Sequence, residues 1–96
     1  MAAEIDAHTA DDEWPGQVAG FLRATIQSRA LIARASSDRE RTEAHAYVGL
    51  VASAAGRRDE AREHLRWVTT QGDHDMIEYR WSVAELARLE AAAARP

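Results

Sequence analysis

From Pro15 to Leu89 the apolar residues recur three and four positions apart, and Gly, Pro or a Ser-Asp cluster cuts the pattern before any stripe grows long. That feature constrains the fold more than any other. A period near 3.6 puts such residues on one face of a helix, whereas a strand needs strict alternation. No alternating β-branched run and no Asn-Gly or Asp-Gly hairpin signal is present, so strands are not expected. Turns of a few residues leave consecutive helices only one way to bury their stripes, against the preceding neighbour as antiparallel hairpins. The sequence predicts an all-α fold.

Local punctuation gives the boundaries. Residues 1–13 are polar and acidic with no usable period and read as a flexible tail; residues 14–96 read as one helical domain. Trp14-Pro15-Gly16 starts the first helix near Pro15, because proline suits the first helical position. Val18, Phe21, Leu22 and Ile26, then Leu31 and Ile32, follow at helical spacing. A break between Thr25 and Ser28 and one continuous helix over 15–35 both fit that stretch. Ser36-Ser37-Asp38 is a cap cluster for the next helix, which runs to Gly56, a residue suited to a left-handed stop. Asp59 begins a helix with the inner stripe Ala61, Leu65 and Val68, ended by Gln71-Gly72-Asp73. Asp73 or Asp75 caps the last helix, with the stripe Met76, Tyr79, Val83, Leu86 and Leu89.

Composition narrows the function. Ninety-six residues allow one domain with a modest core. The chain has no cysteine, which excludes disulfides, thiolate metal sites and cysteine nucleophiles. No apolar run approaches the roughly 20 residues that span a bilayer. The first residues are acidic where a signal peptide would be basic and apolar, so a soluble, cytoplasmic protein without membrane contact is expected. Residues 1–13 hold five acids and no base, whereas residues 14–96 hold twelve Arg against eleven acids, a balance of +1. A nearly neutral body lacks the excess positive charge of a phosphate binder. Arg58, Arg62 and Arg66 form a stripe beside Arg57, but Asp59, Glu60 and Glu63 interleave with it. No nucleic-acid partner is expected.

Catalysis has no signalled constellation. His8, His45, His64 and His74 include no i,i+4 pair, and the glycines form no phosphate-cradling loop. Neither a metal nor a cofactor is expected. His45 reads as a packed, hydrogen-bonded imidazole. Trp14, Phe21 and Tyr79 fall on core positions, whereas Trp67 and Trp81 flank their stripes, where an exposed tryptophan is a frequent hot spot of binding.

Residues 42–75 span 34 positions in which Gly49, Gly56, Ala61, Leu65 and Val68 fall where the tetratricopeptide repeat places its small and apolar residues. The segment resembles such a repeat, departing from it at His45 and Ala52, where the family favours Trp and Tyr. Trp14, Val18, Phe21 and Ala30 match a preceding unit; Tyr79, Val83 and Leu86 match the first helix of a following one. The stretches Trp14-Pro15, Glu43 to Gly49 and Glu78-Tyr79 are also similar to the C-terminal part of bacterial adaptors of this family.

The resemblance implies a short superhelix of stacked hairpins with a C-terminal capping helix, whose first helices line a concave groove. Carried over by position, that groove is lined by Ala19, Leu22 and Arg23, by Glu43, Ala46, Leu50, Ser53 and Ala54, and by Ile77, Arg80, Ala84 and Arg88. Trp81 offers a neighbouring contact. The implied floor is apolar with charges at its ends, fit for a peptide segment. The family's carboxylate clamp is missing, because Ala46 and Leu50 stand where it needs polar groups. The expected function is therefore a non-catalytic adaptor that binds another protein or peptide. Two alternatives stay open: a homodimer or larger homo-oligomer burying Trp81, and a small enzyme or regulator working through His45.

Overall fold

In the computed structural model of this chain, residues 13–24 and 26–94 are described, so the acidic tail expected over 1–13 lies outside them except for Glu13. The described residues form five helices and no strand: α1 (Trp14–Leu22), α2 (Ser28–Arg34), α3 (Asp38–Ala54), α4 (Arg58–Gln71) and α5 (Ile77–Ala93). The break between α1 and α2 is real. Ala24 takes a left-handed φ of 64°, which no continuous helix over 15–35 would allow.

Most of the remaining boundaries follow local chemistry. Ser37 caps α3 by accepting the Glu40 N–H at 3.1 Å, and Glu40 reaches back to the N–H of Ser36 at 2.9 Å. These bonds satisfy donors that the first turn leaves without intrahelical partners. Gly56, with φ 82°, makes the left-handed turn into α4. One expectation fails: neither Asp73 nor Asp75 caps α5. Met76 is the N-cap, with no side-chain bond. The Asp73 carboxylate instead accepts the Asp75 N–H at 3.0 Å and holds Arg39 at 3.4 Å. The Asp73 N–H donates to the buried hydroxyl of Thr42 at 2.9 Å, which ties the α4–α5 turn to the first turns of α3.

Two hydrophobic clusters meet at α3. Ala44 and Val48 join Val18 and Phe21 of α1 and Leu31 of α2. Further along, Ala52 joins Ala61 and Leu65 of α4 and Leu86 and Leu89 of α5. Thus α3 packs against every other helix and α5 lies across both members of the α3–α4 hairpin. The hairpin closes tightly at Gly49. A Cβ built there would stand 2.6 Å from Leu65 Cδ2 and 3.3 Å from the Leu65 nitrogen.

The face buried by α5 differs from the expected stripe. Glu78, Ser82, Leu86 and Leu89 are buried, Tyr79 is half-buried, and Val83 is 43% exposed. Leu86 and Leu89 centre the face on Ser82, and adjacent helical residues lie about 100° apart, so Val83 is turned out. Ser82 can occupy that line because its hydroxyl donates to the Glu78 carbonyl at 2.8 Å. The expected stripe followed apolarity, and a small hydroxyl residue carries no such signal.

Gly49→Ala tests the close approach. Alanine gains about 1 kcal/mol of helix propensity over glycine, but overpacking against a side chain with no free room costs about 1–3 kcal/mol. Leu65 is 0% exposed, so the steric cost wins. Net destabilisation of up to about 2 kcal/mol is expected, read as a lower urea midpoint at unchanged slope. An unchanged or higher midpoint would show that α3 and α4 are not tightly apposed.

Candidate functional site: the face shared by α3 and α5

Where α5 crosses α3, one side of each helix contributes polar and aromatic groups. On α3 these are Glu43, Tyr47 and Ser53, with the aliphatic Leu50 among them; on α5 they are Glu78, Trp81, Glu85 and Arg88. Spacings of three and four keep each set on one flank of its helix.

At one end, Trp14 of α1 donates its indole N–H to Glu43 Oε1 at 3.0 Å. Burial pushes the Glu43 carboxyl above the usual range; Trp14 opposes that shift and the neighbouring Glu78 carboxylate adds to it. Glu78 is itself only 8% exposed, and it accepts the Tyr47 hydroxyl at a long 3.4 Å. Burial, then Glu78 and Glu43, raise the Tyr47 phenol as well. Trp81 stands edge-on to the Tyr47 ring, centroids 6.3 Å apart, and is 41% exposed. The other end is closed. Ser53 donates to Glu85 and receives Arg88 at 3.2 Å, while Arg88 Nε also bonds Glu85 at 3.0 Å. The Arg88 guanidinium, with help from Ser53, holds the Glu85 carboxyl below the usual range.

The residues expected to line a groove are distributed unevenly. Glu43 and Leu50 lie on this face, and Trp81 projects from it. Ser53 and Arg88 are cross-linked at its closed end. Ala46 is fully buried, so its methyl cannot line an open surface, and Tyr47 occupies that role. Arg80 is exposed on the outer side of α5, whereas Ile77 and Ala84, also exposed, lie one turn before and after Trp81 on its flank of the helix. Leu22 and Arg23 are exposed at the far end of α1, about 12 Å along the helix from Trp14, through which α1 reaches Glu43. The floor is therefore acidic and aromatic rather than apolar. Tyr47, Glu78 and Glu85 were absent from the expectation, although Glu43 with Tyr47, and Glu78 with Trp81 and Glu85, are helical-face pairs visible in the sequence.

Two of the histidines, His45 and His64, form a separate cluster on the other side of α3, while His74 stacks on Tyr79. His45 Nδ1 lies 3.0 Å from His64 Nδ1 of α4, and the His45 ring stacks on Trp67 with centroids 4.1 Å apart. One imidazole must donate and the other accept. Burial, then the nearby His64, lowers His45 to about 4. The cluster accounts for Trp67, which is half-buried. A cleft of about 360 Å³ lies beside it, lined by Ser28, Arg29 and Ile32 of α2 and Glu60, Glu63 and His64 of α4. Among the described residues no group of three or more His, Cys, Asp or Glu side chains is arranged to hold a metal. The Arg stripe of α4 is largely neutralised: Arg57 pairs with Glu60 at 3.0 Å, Arg62 with Asp59, and Arg66 with Glu90 of α5 at 2.7 Å. No described helix is long and apolar enough to cross a membrane.

No protein-family model, curated protein or solved structure matches this chain.

The lowered His45 makes stability depend on pH with a definite sign. Its folded value of about 4 lies below the unfolded 6.5, so the unfolded chain binds the extra proton between those limits. The contribution is present above pH 6.5 and is lost as pH falls toward 4. With partial exposure discounted, about 1–2 kcal/mol is expected from this group. His45→Gln should flatten the stability profile over that window relative to the parent chain, measured by urea titration at each pH. Parallel profiles would remove His45 from the account.

Proposed function

We propose that this chain is a non-catalytic protein-interaction module of the tetratricopeptide-like kind, which holds a segment of a partner protein along the face shared by α3 and α5. The observation that carries this reading is Trp81: a large indole, 41% exposed, set against Tyr47 and flanked by carboxylates. Tryptophan and tyrosine in such a setting supply much of the energy of protein interfaces. Hairpin packing supports the reading, because it holds α3 and α5 side by side and so fixes the spacing of the aromatic residues. The face fits a partner segment better than a small substrate, since its groups are spread along two helices and do not converge on one reacting atom.

A second reading, assembly of copies of this chain, is favoured by a different surface. Val83, 43% exposed, lies with the exposed Ala87 on the flank of α5 opposite Trp81. An isologous contact there would add the layer that about three repeat units otherwise provide.

The two readings separate experimentally. Trp81→Ala should weaken capture of a partner peptide by about 2 kcal/mol, the loss of a binding hot spot. Val83→Ala, on the other flank of α5, should leave capture unchanged. Peptide-array binding with both variants, checked for equal helicity by circular dichroism, reads this directly. Full capture by Trp81→Ala defeats the first reading. A single monomeric species in sedimentation at high protein concentration defeats the second.

A further inference from the structure

We propose that the α3–α5 face takes a cationic side chain, Lys or Arg, from the partner segment, seated between Glu78 and Glu43 and against the rings of Tyr47 and Trp81. This rests on the protein-binding reading above and adds the chemistry of the ligand.

The argument begins with Glu78. It is 8% exposed, and among the described residues its carboxylate has one bond, the 3.4 Å contact from Tyr47, and no paired cation. A carboxylate taken that far out of water is costly unless a charge or strong donors compensate it. Here the nearest carboxylate aggravates the cost, since Glu43 and Glu78 repel each other. Arg39 is the cation that acts on Glu43, one helical turn away, and its guanidinium is engaged with Asp73 at 3.4 Å.

The same helix supplies an internal comparison. Glu85 lies two turns beyond Glu78 on the same flank of α5, and there Arg88 and Ser53 complete the carboxylate. The Glu85 end is what the face looks like once a guanidinium has arrived. The Glu78 end has the acid and not the base. A guanidinium or ammonium from outside would relieve both carboxylates at once.

Aromatic groups supply the second, independent part. Trp81 and Tyr47 sit edge-on to each other beside Glu78. An exposed indole face attracts a cation through its quadrupole, and Arg and Lys are the side chains that use it. A purely apolar partner would leave Glu78 buried further without a counter-charge. An acidic partner would add a third like charge. Charge complementarity therefore selects a basic segment, in contrast to the carboxylate-binding clamp of the resembled family.

The test uses the full chain and four pools of short peptides, each randomised around one fixed central residue: Lys, Arg, norleucine or Glu. Binding is followed by the indole N–H signal of Trp81 in two-dimensional NMR. The Lys and Arg pools should bind about tenfold tighter than the norleucine pool, with the Glu pool weakest, and the preference should shrink as salt rises. Glu78→Gln should erase the preference while leaving the melting temperature equal or higher, because no cation pairs with Glu78 among the described residues. A lower melting temperature in that variant, with the preference intact, would make Glu78 structural and overturn the inference. Equal binding of the Lys and norleucine pools to the parent chain would overturn the cation inference while sparing the protein-binding reading. Failure of every pool to move Trp81 would overturn both.

Discussion

The fold turns on one contact in which one partner, Gly49, has no side chain. At Gly49 the α3 backbone comes so near Leu65 that a methyl group would overlap it. Because α3 and α4 meet this closely, Ala52, Ala61 and Leu65 form a common surface on which Leu86 and Leu89 of α5 settle. The position of α5 fixes everything on the candidate face. Were the hairpin splayed by a larger residue, α5 would lose its seat, and Tyr47 and Trp81 would no longer share an edge. The polar tie between Thr42 and the Asp73 N–H adds a second constraint, holding the start of α5 beside α3.

Once seated, α5 meets α3 through two arrangements of similar parts. Toward its C-terminal half a carboxylate, a hydroxyl and a guanidinium satisfy one another within the chain. Toward its N-terminal half, carboxylates from the two helices face each other with a phenol between them and indoles at either side. The first adds cohesion between the helices. The second stores electrostatic conflict, a departure from local optimum of the kind found where proteins meet ligands. The histidine pair stands apart from both, on the α4 side of α3, where desolvation and the nearby His64 lower the His45 pKa and Trp67 stacks on its ring.

The sequence was legible where a residue acts alone. Ser37 and Gly56 mark helix ends by their own conformational preferences, and Gly49 with Ala61 marks a close helical approach. It was misleading where a role depends on rotation about a helix axis. Val83 looked like core because it is apolar, and Ser82 did not because it is polar, yet the helix is turned to bury the serine. Asp73 looked like a cap, but the turn used its carboxylate elsewhere. On α3 the groove was placed at Ala46 by resemblance, and a rotation of one residue puts Tyr47 there instead.

The sequence by itself therefore determined the class of fold, the main helix boundaries and the tight α3–α4 hairpin. Helical period, capping groups and glycines are read from a few neighbouring residues. Only the tertiary structure decided the character of the face: that Glu43 and Glu78, 35 positions apart, come within range of each other, that Trp14 reaches Glu43, and that Trp81 stays partly in solvent. Those facts depend on how far each helix is turned when it packs. That rotation is set by the fit of whole surfaces, to which small and polar residues contribute as much as the apolar ones that stand out in a sequence.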